Sequence, residues 1–173
     1  MSILTKYSVD RLAARYSWNS GNGVIEQERF TLPYGFGCPN YESGGAGLLG
    51  DVESYVPLAV ALANNGIGKT GAQILKPSSI NLMRTNQLVD AARGDFTRPG
   101  YSYALGVRTM VDPSISRSSF GEFGWDGAAG AYVMIDPAKK VSAFFAMHVL
   151  GCEPAYTVYH PAIRDRIFEG IED

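Results

Sequence analysis

The chain has 173 residues, of which 46% are hydrophobic and 12% aromatic, and this composition is that of a folded globular domain and not of a disordered segment. Its 15 basic and 17 acidic residues are spread without runs, so the net charge of -2 offers no basic face for nucleic acid or anionic lipid. The sequence has no apolar run of the roughly 18 residues that a membrane span needs.

The start of the chain and the two cysteines indicate no special compartment or metal chemistry. Residues 1–7 lack the apolar block of a signal peptide. A cytoplasmic location is the default, but the location stays open because, from the motifs described below, an N-terminal region is expected to be missing. Cys38 and Cys152 lie far apart without Cys-x-x-Cys spacing, which predicts two reduced thiols and no metal knuckle or redox pair. We expect no cofactor and no metal.

In chain order, the first fifty residues predict short elements and loops. Helical spacing of Leu12, Ala13 and Tyr16 behind Ser8 indicates a helical turn. A turn cluster at residues 19–23 precedes a candidate strand at residues 24–31. A proline- and glycine-containing loop at residues 32–40 and a glycine-rich segment at residues 43–50 follow.

Three later segments have the periodicity of amphipathic helices. Residues 51–64 begin at the cap Asp51 and end at Asn64-Asn65-Gly66, residues 77–87 begin at Pro77, and residues 161–171 close the chain. In the third helix we expect Arg164, Asp165 and Arg166 to face solvent. The apolar residues expected to face inward are Tyr55, Leu58, Ala59, Leu62 and Ala63, then Ile80, Met83 and Leu88, then Ile163, Ile167 and Phe168.

The strands concentrate in the C-terminal half. Residues 101–111 alternate as one strand interrupted by Gly106, and residues 131–135 and 141–149 form an antiparallel pair joined by a turn at residues 138–140. Between them, glycines at 121, 124, 127 and 130 mark places where a ligand or another backbone approaches closely. The order of elements predicts the α+β class, with an antiparallel sheet meander and covering helices.

A glycine-rich loop at residues 63–70 ends in Gly68-Lys69-Thr70 and fits a relaxed phosphate-loop pattern. Such a loop must leave a buried strand and open a helix whose amides hold the phosphates, whereas here a helix precedes it and Pro77 soon follows. A nucleotide-binding function is therefore the weakest alternative. Lys69-Thr70-Gly71 also imitates a β-lactamase motif, but its position between two helices excludes that role.

The segment Trp125-Asp126-Gly127-Ala128-Ala129-Gly130, with residues 131–137, resembles the third-motif strand, turn and next strand of the β-lactamase-related serine hydrolases, a group that includes penicillin-binding proteins and esterases. Residues 10–13, 42–48, 75–77 and 82–88 match the same family in order and spacing. The resemblance covers residues 10–148 and only the C-terminal part of such an enzyme. It implies a single partial domain over residues 1–173.

The resemblance assigns four site residues. It implies that the backbone N–H of Ala128 helps to stabilise the oxyanion, and that Gly127 lets a substrate lie against the strand. Trp125 stands where the family has a lysine or histidine that attracts a substrate carboxylate, and Asp126 adds a negative charge beside it. We therefore expect neutral esters or amides to suit the site better than acidic β-lactams. The alternative is that Trp125 only packs and Asp126 only makes a turn.

The residues that perform acyl transfer in this family are absent from the sequence. No serine is followed by lysine at the third position and no tyrosine by asparagine at the second, so the Ser-x-x-K and Tyr-x-Asn motifs are missing. There is no Gly-x-Ser-x-Gly elbow either. His148 and His160 lack a second metal ligand at close spacing and are interpreted as structural.

Two interpretations follow from the resemblance. In the first, the chain is the C-terminal portion of a serine hydrolase and its nucleophile lies in a missing N-terminal segment; in the second, it is a non-catalytic binding or scaffold module. The expected partners are a small ester, amide or β-lactam and either the missing segment or a second copy of the chain, because an incomplete sheet leaves an exposed edge. We expect the chain alone to be inert and marginally stable.

Overall fold

The computed structural model describes residues 12–27, 50–89, 92, 96 and 98–172. The predictions for the loop at 32–40, for Cys38, for residues 28–31 and for the glycine-rich segment at 43–49 lie outside this part of the chain. The strands are β1 (Tyr16–Asn19), β2 (Val24–Gln27), β3 (Tyr101–Tyr103), β4 (Arg108–Met110), β5 (Phe123–Asp126), β6 (Tyr132–Asp136), β7 (Val141–Phe145) and β8 (Val149–Leu150). The helices are α1 (Val52–Ala63), α2 (Pro77–Arg84) and α3 (His160–Glu172), with a 3-10 turn at Pro113–Ile115 and a π-helical turn at Ala155–Tyr159.

Five strands form an antiparallel meander in the order β3-β4-β5-β6-β7. The remaining three strands form a small sheet in the order β2-β1-β8, in which β1 pairs parallel with β8. The α+β class predicted from the sequence is confirmed, and the turn cluster at residues 19–23 joins β1 to β2 as expected.

Helices cover both faces of the main sheet. On one face, Ala59 and Ala63 of α1 and Ile80 of α2 pack on a core completed by Phe123, Val133 and Ile135. On the other face, Phe168 of α3 packs on Tyr132 and Met134. Because successive side chains of a strand point to opposite faces, the alternating residues of β6 serve both cores. None of the described helices is long and apolar enough to cross a membrane.

Helix α1 begins and ends as predicted but buries a narrower face. The Asp51 carboxylate accepts a hydrogen bond from Ser54 N at 2.8 Å, and Asn65 and Gly66 leave the helix with positive φ angles of 55° and 85°. Ala59 and Ala63 are buried, whereas Tyr55 and Leu58, which were expected inside, are 38% and 45% exposed. The apolar face of α1 is therefore wider than the surface of the described sheet and helices that packs against it.

Helix α2 ends at Arg84, three residues before its predicted end. Three other predicted elements differ from the structure. Residues 101–111 form the hairpin β3–β4, because the chain turns back at Gly106, where φ is 76°. The strand expected at 141–149 ends at Phe145, and Val149 pairs in the other sheet. The helical turn expected around Tyr16 is β1 in its described part. In each case the secondary structure is set by pairing with another strand, and local periodicity carries no information about that pairing.

Helix α3 carries a second correction. Phe168 is buried as predicted, but Arg164, which was expected to face solvent, is only 5% exposed. Its Nη1 donates to the Tyr101 hydroxyl at 3.2 Å and its Nε to the Asp165 carboxylate at 2.8 Å. An arginine on the inner face of the helix is tolerated because its guanidinium finds these partners.

Candidate active site

Strand β5 is paired on both sides in its first half and on one side in its second half. It pairs with β6 from Phe123 to Asp126, but its pairing with β4 ends at Gly124 opposite Arg108. Beyond this point the β4 chain turns back, since Gly106 N donates to Ala104 O at 3.0 Å. The second half of β5 therefore presents an open edge toward the side that β4 has left.

Ala128 lies at the hairpin turn that follows this open edge, and it is exposed. Gly127 N donates to Ala131 O at 2.7 Å, which directs the Gly127 amide toward β6. Ala128 itself lies in the turn, where its N–H belongs to the same trans peptide unit as Gly127 C=O. Because Gly127 O accepts from Gly130 N at 2.9 Å inside the turn, the Ala128 N–H points out of the turn. The oxyanion role predicted for Ala128 stays a prediction, and the position of this residue is compatible with it.

The C-terminal segment binds the carbonyl groups of the same turn. The Tyr156 hydroxyl lies 3.0 Å from Gly127 O and 2.9 Å from Ala128 O, and both carbonyls accept from it. Val149 N donates to Ala129 O at 2.9 Å, and His160 Nε2 donates to Gly130 O at 2.9 Å. The four carbonyl groups of residues 127–130 are thus all engaged by residues that follow β7.

Trp125 forms an aromatic wall at the open end of β5. Its side chain is 44% exposed, and its ring centroid lies 5.4 Å from that of Tyr103 and 6.4 Å from that of Phe96. Phe96 and Tyr103 are themselves 6.1 Å apart, so the three rings form one cluster. This cluster offers apolar surface where the resembled family places a cation.

Asp126 lies on the opposite face of the strand, among two arginines and a histidine. Its carboxylate is 3.2 Å from Arg98 Nε, 3.4 Å from Arg108 Nη1 and 3.3 Å from His160 Nδ1. The His160 distance is that of an ion pair, although its orientation falls outside hydrogen-bond geometry, so we treat it as an electrostatic contact. The Asp126 side chain is only 10% exposed.

The pKa of Asp126 is lowered in this environment. Burial alone would raise the pKa of this carboxyl group, but the His160 imidazole and the charges of Arg108 and Arg98 together outweigh burial. Asp126 is therefore an anion whose charge is compensated within the protein. The repulsion of substrate carboxylates that the sequence led us to expect is weakened accordingly, and the substrate-binding role of Asp126 stays a prediction.

At Gly124 there is no space for a side chain. A Cβ atom there would lie 2.0 Å from Val133 O and 3.3 Å from Arg108 Nη1. The guanidinium of Arg108 crosses the strand beside this position, donates to Val133 O at 2.9 Å and lies 3.4 Å from Glu122 Oε1. At Gly124 the close approach predicted from the sequence is made by Arg108 and by the neighbouring strand, not by a ligand.

A buried polar network continues from Arg108 into the core. The Tyr101 hydroxyl donates to Glu122 Oε2 at 2.5 Å, and the Arg108 guanidinium stacks over the rings of Tyr101 and Tyr132 at 5.1 Å and 4.6 Å. Burial raises the pKa of Tyr101 to about 12 and also raises the pKa of Glu122. The buried side chains of Tyr101, Arg108 and Glu122 stabilise the paired half of β5.

The other motifs of the sequence lie away from this site or lack the required context. Lys69 and Thr70 are in a turn closed by a bridge between Ile67 and Gln73, and the next helix begins only at Pro77. His148 lies between β7 and β8, not in a strand. Cys152 is a buried free thiol. Within the described ranges, no three His, Cys, Asp or Glu side chains are close enough to hold a metal ion.

Sequence reasoning missed the long-range partners of the site. Arg98, Arg108, Tyr156 and His160 all contact the residues between Gly124 and Gly130, yet none was singled out as part of the site. Arg108, in a strand-like run that also holds Val107, Met110 and Val111, was a usable signal, because a charge within a buried strand needs a partner. Nothing local distinguishes Tyr156 from its neighbour Tyr159.

The fold is shared with solved serine hydrolases. EstCE1, a hydrolase with promiscuous acyltransferase activity, superimposes with a TM-score of 0.70 at 26% sequence identity over 92% of this chain and 44% of its own length. Simvastatin synthase (LovD) from Aspergillus terreus matches in its LovD6 mutant with a TM-score of 0.75 at 15% identity, over 96% of this chain and 44% of its own. No family model and no curated sequence matches the chain.

These findings define the class of the protein. The chain has the fold of the C-terminal part of the β-lactamase-related serine hydrolases, and the resemblance seen in the sequence is confirmed. Its structural neighbours are a hydrolase with promiscuous acyltransferase activity and a synthase, so this fold is one on which both kinds of enzyme are built. The chain spans less than half the length of these neighbours.

Proposed function

We propose that this chain is one part of a serine acyl hydrolase or acyltransferase, to which it contributes the open edge of β5 and the backbone amide of Ala128. The observation that carries the proposal is the exposed turn after β5, where Ala128 N–H points out of the turn beside the edge that β4 leaves free. This exposure supports the proposal, because a turn beside an unpaired strand edge leaves room for a substrate carbonyl.

The proposed chemistry divides the catalytic groups between two segments. A serine supplied from outside residues 1–173 attacks the acyl carbonyl carbon after losing its proton to an adjacent lysine, and the oxyanion that forms is stabilised by Ala128 N–H. The leaving group departs with the proton that the lysine took from the serine. Water or an acceptor alcohol then attacks the acyl group and releases it, and the serine regains a proton. Ala128 contributes only its backbone N–H. Its side chain is a methyl group, which leaves room for the substrate.

The surface of the chain supports a missing partner segment. In the described part of the chain β7 pairs only with β6, so its outer edge is open. On the nearby helix α1, Val52, Leu58 and Val60 are each more than 40% exposed. An open strand edge and exposed apolar side chains beside it support the proposal, because a covering segment would pair with the edge and bury these side chains.

The aromatic wall supports a neutral, apolar substrate. Trp125 and its neighbours Phe96 and Tyr103 replace the cation with which the family attracts a carboxylate. The cation Arg98 is engaged by Asp126, the residue next to Trp125, at 3.2 Å. Esters of apolar acids are therefore the preferred class, and β-lactams that carry a carboxylate are disfavoured.

The test is complementation of the chain by the segment encoded immediately upstream of Met1. We expect the chain alone to give no hydrolysis of p-nitrophenyl butanoate above the background rate. When the upstream segment is expressed with it, we expect turnover together with a covalent acyl adduct on a serine of that segment, detected by intact mass.

Two results would overturn the proposal. One is an upstream region without a Ser-x-x-K motif. The other is a stable complex of the two segments that forms no acyl adduct with any ester. In either case the scaffold interpretation would replace the catalytic one.

A further inference from the structure

We propose that Tyr156 is a positioning residue that fixes the direction of the Ala128 amide, so that its N–H faces the open edge of β5 before any substrate binds. This inference rests on the proposed function, because the direction of the amide matters only if Ala128 stabilises an oxyanion. Tyr156 belongs to no motif that the resemblance identified.

The argument starts from the geometry of a single peptide group. Gly127 C=O and Ala128 N–H belong to the same peptide unit, and the described chain contains no cis peptide bond. In a trans unit the carbonyl and the N–H point in opposite directions. Since Gly127 O accepts a hydrogen bond from the Tyr156 hydroxyl at 3.0 Å, Ala128 N–H must point away from Tyr156.

The same hydroxyl also controls the next peptide unit. Ala128 O lies 2.9 Å from the Tyr156 hydroxyl, so Ala129 N–H points away from it as well. Gly127 O also accepts from Gly130 N at 2.9 Å within the turn, so Tyr156 adds a second restraint to that unit and restrains Ala128 O as well. One hydroxyl proton is shared between the two carbonyl acceptors, and rotation of either peptide unit would break one of these contacts. Tyr156 therefore opposes a flip of the turn, which is the motion that would bring a carbonyl to the position meant for a donor.

The ring of Tyr156 is itself held in place by neighbouring groups. It lies 4.9 Å below the guanidinium of Arg98 and 5.5 Å from the His160 ring in an edge-to-face arrangement. It also packs against the small core formed by Val149, Cys152 and Ala155. These contacts involve the ring and not the hydroxyl, so the ring can stay in place when the hydroxyl is removed.

Because the ring and the hydroxyl have different contacts, removing the hydroxyl oxygen alone tests the proposal. Tyr156→Phe removes only the oxygen that binds the two carbonyls. Tyr159→Phe is the matched control, because Tyr159 lies in the same π-helical turn and is 44% exposed. If Tyr156 were only a packing residue, both variants would behave as the wild type does.

The experiment has a structural arm and a kinetic arm. In the 15N-labelled chain, together with its upstream segment where the two form a complex, residual dipolar couplings report the angle between the N–H vectors of Gly127 and Ala128. We expect one orientation in the wild type and in Tyr159→Phe, and averaging over a second orientation in Tyr156→Phe. In the complemented enzyme we expect Tyr156→Phe to lower kcat about tenfold with KM within a factor of two, because a displaced donor acts on the transition state and not on substrate binding.

The two arms separate failure of this inference from failure of the proposed function. If complementation gives no turnover, the proposed function fails and the couplings still decide the role of Tyr156. If Tyr156→Phe leaves the Ala128 N–H orientation unchanged, the positioning role is wrong whatever happens to kcat. Should the variant fail to fold, the wild type alone is decisive, because an Ala128 N–H that points toward Tyr156 contradicts the proposal.

Discussion

The two halves of β5 differ in their pairing and in their surroundings. Phe123 and Gly124 lie between two paired strands, with Phe123 fully buried in the core. Trp125 and Asp126 have lost one neighbour, and their surroundings come from Arg98, Tyr103 and the segment after β7. The difference teaches that a site forms where the sheet stops pairing, because unpaired backbone groups remain free to meet a substrate.

The buried half should be far more sensitive to substitution than the open half. Arg108→Met is expected to have the largest effect, because it leaves the buried carboxylate of Glu122 and that of Asp126 without their main cation. Removing one partner of a buried ion pair costs about 3 to 5 kcal/mol. Urea denaturation of the chain with its partner segment measures the change in free energy of unfolding.

Arg166→Met is the matched control for Arg108→Met. The Arg166 side chain is 82% exposed and pairs with Glu169 across one turn of α3. An exposed pair contributes less than about 1 kcal/mol. Equal losses in the two variants would show that the Arg108 network does not support β5.

Gly124→Ala should rank second. The added Cβ would meet Val133 O at 2.0 Å, and a backbone atom cannot move aside as a side chain does. We expect a loss of about 3 kcal/mol, at the upper end of the range for overpacking. Gly68→Ala is the control that should keep wild-type stability, because a Cβ atom there would lie 3.6 Å from Ala72 O, which is an ordinary contact distance.

Asp126→Asn should have a smaller effect that depends on pH. The folded-state pKa of Asp126 lies below its ordinary value of about 4, so its charge stabilises the fold above that pH and this contribution is lost as the pH falls through the folded-state pKa. Asparagine resembles the protonated form. The stability difference between wild type and variant is therefore expected to shrink from pH 7 to pH 3, and a difference that stays constant or grows would contradict the ion cluster.

Trp125→Lys should change stability least and selectivity most. The side chain is 44% exposed, so we expect a change in the free energy of unfolding of about 1 kcal/mol or less. In the complemented enzyme, the new cation should raise acylation by a carboxylate-bearing β-lactam relative to an apolar ester about tenfold. Trp125→Met keeps the apolar character and should leave this ratio near that of the wild type, and a similar ratio in both variants would remove Trp125 from substrate selection.

The sequence was sufficient for the fold class, for identifiable reasons, whereas the site at β5 stays a prediction. Helix α1 has a cap, a period and a terminating Asn-Asn-Gly that are all local, and the glycine-rich segment around β5 is local too. The resemblance of Trp125-Asp126-Gly127-Ala128 to a known motif then located the open edge. Each of these features is contained within a few consecutive residues.

What the sequence did not reveal depends on contacts between distant residues. The split of residues 141–149 between two sheets follows from the pairing of Val149 with Tyr16, more than a hundred residues earlier. Arg164 was assigned to the surface because its charge outweighed its helical position, and its partner Tyr101 lies in another element. The same holds for Tyr156, whose role depends on two carbonyls at the far end of the sheet.

The central claim is that Ala128 N–H is an oxyanion donor, and replacing that one amide by an ester tests it most directly. Incorporation of lactic acid at position 128 in the complemented enzyme removes the N–H and keeps the methyl side chain. We predict that kcat falls by about a hundredfold to a thousandfold while KM changes little. A kcat equal to that of the unmodified enzyme would contradict the account.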